Sequence, residues 1–129
     1  MLIGGILNPA INSLLSRVRH TNLLVIADRG LPFWPHIETV DISLVDDIPQ
    51  VMDVLLAIKS NFSIGRVYAA QQFLGMNTPA TISALDDALL GIPITFESHD
   101  DLKKRIPGAI GLIRTGDTTQ YSNLILESA

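Results

Sequence analysis

Several polar side chains suited to acid–base or hydrogen-bonding chemistry stand at the ends of predicted elements. His20 closes the first predicted helix, Asp28 follows a short apolar strand, and His99 lies in the first turn of a capped helix. Tyr121 and Asn123 are two residues apart on a predicted strand, so both side chains should project from the same face. An imidazole, whose ordinary pKa is about 6.5, can take and give a proton at neutral pH. Tyrosine and asparagine supply directional hydrogen bonds to hydroxyl groups.

The sequence lacks the motifs of several other kinds of active site. It contains no cysteine, no phosphate-binding glycine loop and no G-x-S-x-G nucleophile motif. Ser16 and His20 are four residues apart on one helix, a spacing too common to predict a serine nucleophile. The histidines His20, His36 and His99 are isolated from one another, so no metal site is predicted. We expect no cofactor.

Composition limits the class of protein further. A chain of 129 residues predicts one domain, residues 1–129. Hydrophobic residues make up 47% and charged residues only 17%, against about 25% in an average domain, which predicts surface buried against other subunits. A net charge of −4 argues against a nucleic-acid partner. Apolar runs are too short to span a membrane, and the N-terminus lacks the basic start of a signal peptide, so we expect a cytoplasmic protein with no membrane partner.

Helical and strand patterns alternate along the chain. The first helix is capped by Asn8, carries apolar residues at i, i+3, i+4 and i+7, and is expected to end near His20. Further helices are predicted to begin at Pro49, Thr78 and Ser98. Strands are predicted at Leu23–Ala27, Val40–Leu44, Ile64–Ala70, Ile94–Phe96, Ala109–Arg114 and Tyr121–Leu126. This alternation predicts an α/β fold, a three-layer α/β/α sandwich with a mixed, mostly buried sheet.

A set of short segments, in this order, resembles one known family over essentially the whole chain. The segments are Arg17-x-x-His20-Thr21, Asp28-x-Gly30-Leu31-Pro32, Ser98-His99, Ile113-Arg114-Thr115-Gly116-Asp117 and Tyr121-Ser122-Asn123-Leu124-Ile125-Leu126. Together they resemble the D-ribose pyranase and L-fucose mutarotase family. The glycine, leucine and proline after Asp28 make the chain more similar to the ribose branch.

The resemblance implies an isomerase that interconverts pyranose and furanose forms of a monosaccharide of the ribose or fucose type, without a cofactor. It implies a homo-oligomeric ring, a pentamer or decamer, whose sites lie where subunits meet. His20 would be the general acid and base with Asp28 beside it, and the sugar would be bound by Asp28, His99, Tyr121 and Asn123. Two alternatives remain open: a mutarotase that interconverts anomers of an L-fucose type of sugar, and a sugar-binding transport accessory without turnover.

Three residues near the expected site depart from the pattern of the family. Arg19 stands where a glycine is usual, Asn22 where an aspartate is usual, and Arg29 where a small residue is usual. Two added cations could change the pKa of the catalytic histidine or the choice of sugar. We expect Arg29 either to face the sugar or to point into solvent.

Overall fold

The computed structural model describes residues 1–129 and builds them around a six-stranded mixed sheet. The strands are β1 (Leu23–Ala27), β2 (Thr39–Asp41), β3 (Ile64–Ala70), β4 (Ile94–Glu97), β5 (Gly111–Arg114) and β6 (Leu124–Ser128). Their order across the sheet is β2-β5-β1-β6-β3-β4. Only β6 runs antiparallel to its two neighbours, with Leu24 opposite Leu126 and Val67 opposite the same residue on the other side. The remaining pairs are parallel.

Five helices accompany the strands, and three of them begin at the caps that the sequence predicts. They are α1 (Pro9–Arg17), α2 (Val51–Lys59), α3 (Gln72–Met76), α4 (Pro79–Ala88) and α5 (His99–Arg105), followed by a 3₁₀ turn at Ile106–Gly108. Asn8, Thr78 and Ser98 accept the first free backbone N–H groups of α1, α4 and α5. No helix is both long and apolar enough to cross a membrane.

The two faces of the sheet are covered very differently. On one face, α1 to α4 pack on alternate strand residues such as Leu24 and Ile26, in a core of 17 buried residues. On the other face, Val25 and Ala27 contact α5, the 3₁₀ turn and the loop that contains Trp34, in a core of seven buried residues. The predicted three-layer α/β sandwich is therefore confirmed, with one thick and one thin helical layer.

Two element boundaries differ from the prediction at positions that matter for the site. Helix α1 ends at Arg17, and His20 lies in the turn that follows, because the Asn22 side chain accepts from the Arg19 N–H at 2.8 Å in place of a helical bond. Strand β6 begins only at Leu124, so Tyr121 and Asn123 lie before the strand. The prediction that both sit on the strand, with their side chains on one face of it, was wrong.

Two further differences lie outside the site. The second strand is shortened to Thr39–Asp41, because the Asp41 carboxylate accepts from the Ser43 N–H at 3.0 Å and turns the chain away. Helix α3 was not predicted, because its five residues are too few to show an apolar period.

Candidate active site

The Asp28 carboxylate lies directly after β1, where hydrogen bonds from two directions hold it. Its Oδ1 accepts from the backbone N–H groups of Gly30 and Leu31, both at 2.9 Å, and its Oδ2 accepts from the Asn123 amide at 3.1 Å. Burial raises the pKa of Asp28, the nearby Asp117 charge adds to this, and the three hydrogen bonds oppose it. The carboxylate is thus held rigidly in a half-buried position where it can accept a hydroxyl group of a ligand.

Asn123 joins the end of β1 to the turn before β6. Its side-chain oxygen accepts from the Asp28 backbone N–H at 2.7 Å, while its amide nitrogen donates to the Asp28 carboxylate. Asn123 is only 3% exposed, whereas Asp28 is half-buried. The pair fixes two segments that are 95 residues apart in sequence.

His99 enters the same region from the first turn of α5. Its backbone N–H donates to the Gln72 side chain at 3.0 Å, and its ring meets the Tyr121 ring edge-on, with centroids 5.2 Å apart. Burial lowers the pKa of His99, and the charge of Lys103 lowers it further. The ring is therefore mainly neutral at pH 7 and able both to donate and to accept a hydrogen bond. Its Nδ1 is buried and has no partner in the chain.

Tyr121 adopts a backbone conformation that few tyrosines adopt. Its φ is 55°, in the left-handed region that favours glycine. The preceding residue, Gln120, is fixed through its carbonyl, which accepts from the Asn77 amide at 2.8 Å. Asn77 also donates to the Phe73 carbonyl at 3.0 Å, so the end of α3 braces the turn that presents the tyrosine. Strain of this kind persists where the surroundings over-determine the conformation, often at binding sites.

These side chains form one open, polar pocket. Its volume is about 220 Å³. The lining consists of Asp28, Gly30, Leu31, Pro32, His99, Gln120, Tyr121 and Asn123. The structure thus brings together four of the five predicted residues. A larger cavity lies elsewhere, but it contains no histidine, so we assign acid–base chemistry to the smaller pocket.

His20 is the predicted residue that the structure does not bring to this pocket. It is exposed in the turn before β1, whereas Asp28 follows the other end of that strand. Five strand residues separate the two ends by about 13 Å. Within one chain, Asp28 therefore does not lie beside His20. Because β1 runs straight between the two residues, no side-chain rotation can join them.

The three residues that depart from the family pattern also lie outside the pocket. The Arg29 guanidinium pairs with Asp46 at 2.7 Å, on the exposed side of its loop. Arg19 donates to the Ser16 carbonyl at 2.6 Å, and Asn22 caps the turn as described above. Of the two expectations for Arg29, this geometry fits the one in which its side chain points into solvent.

Residues that support the pocket from behind were missed from the sequence. Gln72 is the first residue of α3, the helix without a sequence signal, Asn77 follows the last residue of that helix, and Gln120 is a polar residue in a polar turn. No group of three or more histidine, aspartate or glutamate side chains lies close enough to hold a metal ion.

A family model describes the whole chain. Residues 1–129 match the model of the RbsD / FucU transport protein family. The chain belongs to this family. The resemblance inferred from the short segments above is thus confirmed, and the RbsD / FucU fold accounts for the mixed sheet with a central antiparallel strand.

Relatives within the RbsD / FucU family are similar over nearly their full length. The D-ribose pyranase of Thermoanaerobacter sp. (strain X514) is 36% identical over 123 residues, which cover 95% of this chain and 93% of that one. The D-ribose pyranase of Geobacillus kaustophilus (strain HTA426) is 36% identical over 124 residues, covering 96% and 90%.

Two solved structures share the fold. Bacillus subtilis RbsD, complexed with D-ribose, superposes with a TM-score of 0.93 at 30% identity, covering 100% of this chain and 98% of that one. The fucose mutarotase of Streptococcus pneumoniae, in complex with L-fucose, superposes with a TM-score of 0.77 at 18% identity, covering 95% and 92%. At that identity the second similarity concerns the fold alone.

Proposed function

We propose that the protein is a cofactor-free isomerase of the D-ribose pyranase type, which interconverts the pyranose and furanose forms of a monosaccharide. The observation that carries the proposal is the convergence of Asp28, His99, Tyr121 and Asn123 on one polar pocket. These groups match a neutral ligand with several hydroxyls, because they include acceptors, donors and an aromatic ring but no cation aimed at a phosphate. The relatives named D-ribose pyranase support the same conclusion.

Ring interconversion requires two proton transfers. The anomeric hydroxyl loses a proton as the ring oxygen gains one, the ring opens to the aldehyde, and closure through a different hydroxyl gives the other ring size. A positioned acid–base group typically accelerates such a step by roughly 10²–10⁴-fold. In the proposal His20 moves the proton, Asp28 accepts a sugar hydroxyl, and His99, Tyr121 and Asn123 hold the sugar in place.

Since His20 and Asp28 occupy opposite ends of β1, we propose that a second copy of the chain supplies His20 to the pocket. The pocket is open, and its 220 Å³ is smaller than the roughly 300–1,000 Å³ of typical small-molecule sites. A neighbouring subunit would add both the missing wall and the missing imidazole. The low content of charged residues supports a homo-oligomer with surface to bury. The proposal includes a ring of subunits, one domain per chain over residues 1–129, and a cytoplasmic location.

Magnetisation-exchange NMR on D-ribose and L-fucose tests the proposed reaction. Faster exchange between pyranose and furanose forms of ribose is the expected result. Exchange between fucose anomers alone would indicate the mutarotase instead. Sugar binding with no faster exchange of either kind would indicate a binding protein and overturn the proposed activity.

A mixing experiment tests whether the site is shared between subunits. The His20→Ala and Asp28→Asn variants should each be inactive. If they are dissociated, mixed in equal amounts and reassembled, a shared site combines an intact His20 with an intact Asp28 at about a quarter of the interfaces. We therefore expect about a quarter of the wild-type exchange rate. Light scattering confirms reassembly, and a reassembled but inactive mixture would place both residues in one subunit's site.

A further inference from the structure

A second cavity lies between α2, α4 and the turn before β6. Its volume is about 380 Å³, within the roughly 300–1,000 Å³ typical of small-molecule sites. Its apolar wall includes Met52, Phe73 and Leu85. The pocket that contains Asp28 and His99 is called the sugar pocket below. No residue lines both this pocket and the second cavity, so the two spaces are separate. No step of the proposed reaction uses it.

One residue of the cavity lining carries a hydroxyl group that has no hydrogen-bond partner in the chain. Ser122, one of the lining residues, is 7% exposed, and its Oγ is buried without a hydrogen-bond partner. Buried polar groups in proteins are almost always paired with protein, water or ligand, because an unpaired one lowers stability. Thr81 and Thr119 add two more side chains with hydroxyl groups to the lining.

Asp117 determines the charge of a suitable occupant. Its carboxylate is buried, accepting from the Val51 N–H at 2.8 Å and from the Thr119 N–H at 2.7 Å. No lysine, arginine or histidine lines the cavity, so phosphates and carboxylates would be repelled. A cation would have to give up its hydration against a lining in which seven of twelve residues are hydrophobic. An uncharged ligand therefore fits best.

We propose that this cavity is a second binding site for a neutral cyclic polyol, the chemical class that includes free monosaccharides. The C–H face of such a ring packs on Phe73 and Leu85, its hydroxyls pair with the two threonines, and the Ser122 hydroxyl joins them by rotating about χ1 toward the cavity. Ser122 lies between Tyr121 and Asn123, which line the sugar pocket. An occupant of the cavity therefore contacts the same turn that presents the sugar-binding residues, and can alter the exchange rate.

The test uses methionine methyl groups as reporters in the full-length protein. The chain has three methionines, and only Met52 lines the cavity. The probe is methyl β-D-ribopyranoside, which has no free anomeric hydroxyl and cannot open its ring, so its binding is independent of turnover. We expect a saturable shift of the Met52 methyl resonance, assigned with Met52→Leu, at probe concentrations up to about 100 mM, where even a millimolar Kd is saturated.

Three variants locate the binding. Ala84→Phe places a ring at the exposed rim of the cavity and should abolish the shift, while Ser83→Phe, one residue away on α4 and outside the cavity, should leave it unchanged. Ser122→Ala should weaken binding by roughly 3- to 10-fold, the effect of one neutral hydrogen bond. Ribose 5-phosphate is negatively charged and should not enter the cavity. Any shift of the Met52 resonance that it causes should therefore persist in Ala84→Phe.

Two results would overturn the proposal. One is the absence of a saturable Met52 shift in the folded wild-type protein. The other is a shift that persists unchanged in Ala84→Phe, because that shift would arise indirectly from the sugar pocket. Circular dichroism and light scattering on each variant show that it is folded and assembled, and Ser122→Ala provides an independent answer if Ala84→Phe does not fold.

Discussion

The two ends of β1 carry the two halves of the proposed chemistry, and they are built differently. At the carboxyl end, Asp28 and Asn123 are tied to each other by reciprocal hydrogen bonds, and burial raises the pKa of Asp28 and lowers the pKa of His99. At the amino end, His20 is exposed in a turn. Sugar recognition requires several donors and acceptors at fixed positions, and the hydrogen-bonded segments at the carboxyl end of β1 supply them. A single side chain that carries a proton needs fewer fixed neighbours, so a neighbouring subunit can supply that side chain.

A site divided in this way also constrains the assembly. If a neighbouring subunit supplies His20, as proposed, the amino end of β1 in one subunit approaches the carboxyl end of β1 in another. Two kinds of interface allow this: a two-fold contact in which each subunit of a pair completes the other's site, and a heterologous contact that repeats from subunit to subunit and closes into a ring. The ring that the family resemblance implies is the second kind.

The largest effect is expected from removing His20, the half of the proposed chemistry at the amino end of β1. His20→Ala should reduce ribose ring exchange by roughly 10²–10⁴-fold, because the proton carrier is lost while the binding pocket remains. Saturation-transfer NMR should still detect ribose binding. His36→Ala, which removes another exposed histidine, is the matched control and should retain full activity. Full activity in a folded His20→Ala protein would transfer the acid–base role to His99 or Asp28.

A smaller effect is expected from removing the hydrogen bonds between Asn123 and Asp28 at the carboxyl end of β1. Asn123→Ala leaves the buried Asp28 backbone N–H unpaired and removes a donor to its carboxylate, so the free energy of unfolding should fall by about 1–3 kcal/mol. Sugar affinity should fall as well. Urea denaturation measures the first effect and ribose titration the second. Gln120→Ala, which removes an exposed side chain from the same turn, should change stability far less; equal losses would mean that the Asn123 bonds contribute little.

The titration of His99 gives a third, pH-dependent difference. Its folded-state pKa lies below the ordinary 6.5, so between these values the unfolded chain binds more protons than the folded one. The free energy of unfolding should therefore decrease as the pH falls below about 6.5, and this decrease should be smaller in His99→Gln. Lys103→Met removes the nearby charge and should move the His99 pKa upward, as read by NMR of the ring. An unchanged His99 pKa in Lys103→Met would leave burial as the only cause of the lowered value.

The smallest effect is expected for Arg29, which adjoins the carboxyl-end half without belonging to it. Because its partner Asp46 is exposed, Arg29→Ala should cost at most about 0.5 kcal/mol of stability. The relative exchange rates of ribose and fucose should not change. A changed sugar preference would show that Arg29 leaves Asp46 and enters the pocket when a sugar is bound.

Much of the fold could be predicted from local patterns, and much of the site geometry could not. The strand Ile64–Ala70 and the capped helix starts at Asn8, Thr78 and Ser98 were confirmed, because each depends on residues that are neighbours in sequence. The predicted start of the last strand at Tyr121 was wrong. That strand begins at Leu124, because the Asn123 side chain accepts a hydrogen bond from a backbone N–H group 95 residues away. No local pattern encodes such a partner. That the pocket residues bind a sugar stays a prediction.

The antiparallel strand β6 has a consequence for how the protein is made. It lies between two groups of strands: β3 and β4 on one side, and β1, β2 and β5 on the other. Without β6, no strand of one group is hydrogen-bonded to a strand of the other. Since β6 follows every other strand in sequence, a nascent chain holds two unjoined half-sheets, each with an open edge that invites wrong pairing. Tyr121 and Asn123 are synthesised immediately before β6. The turn that carries these two proposed sugar-binding residues is therefore fixed in the same event that joins the two halves of the sheet.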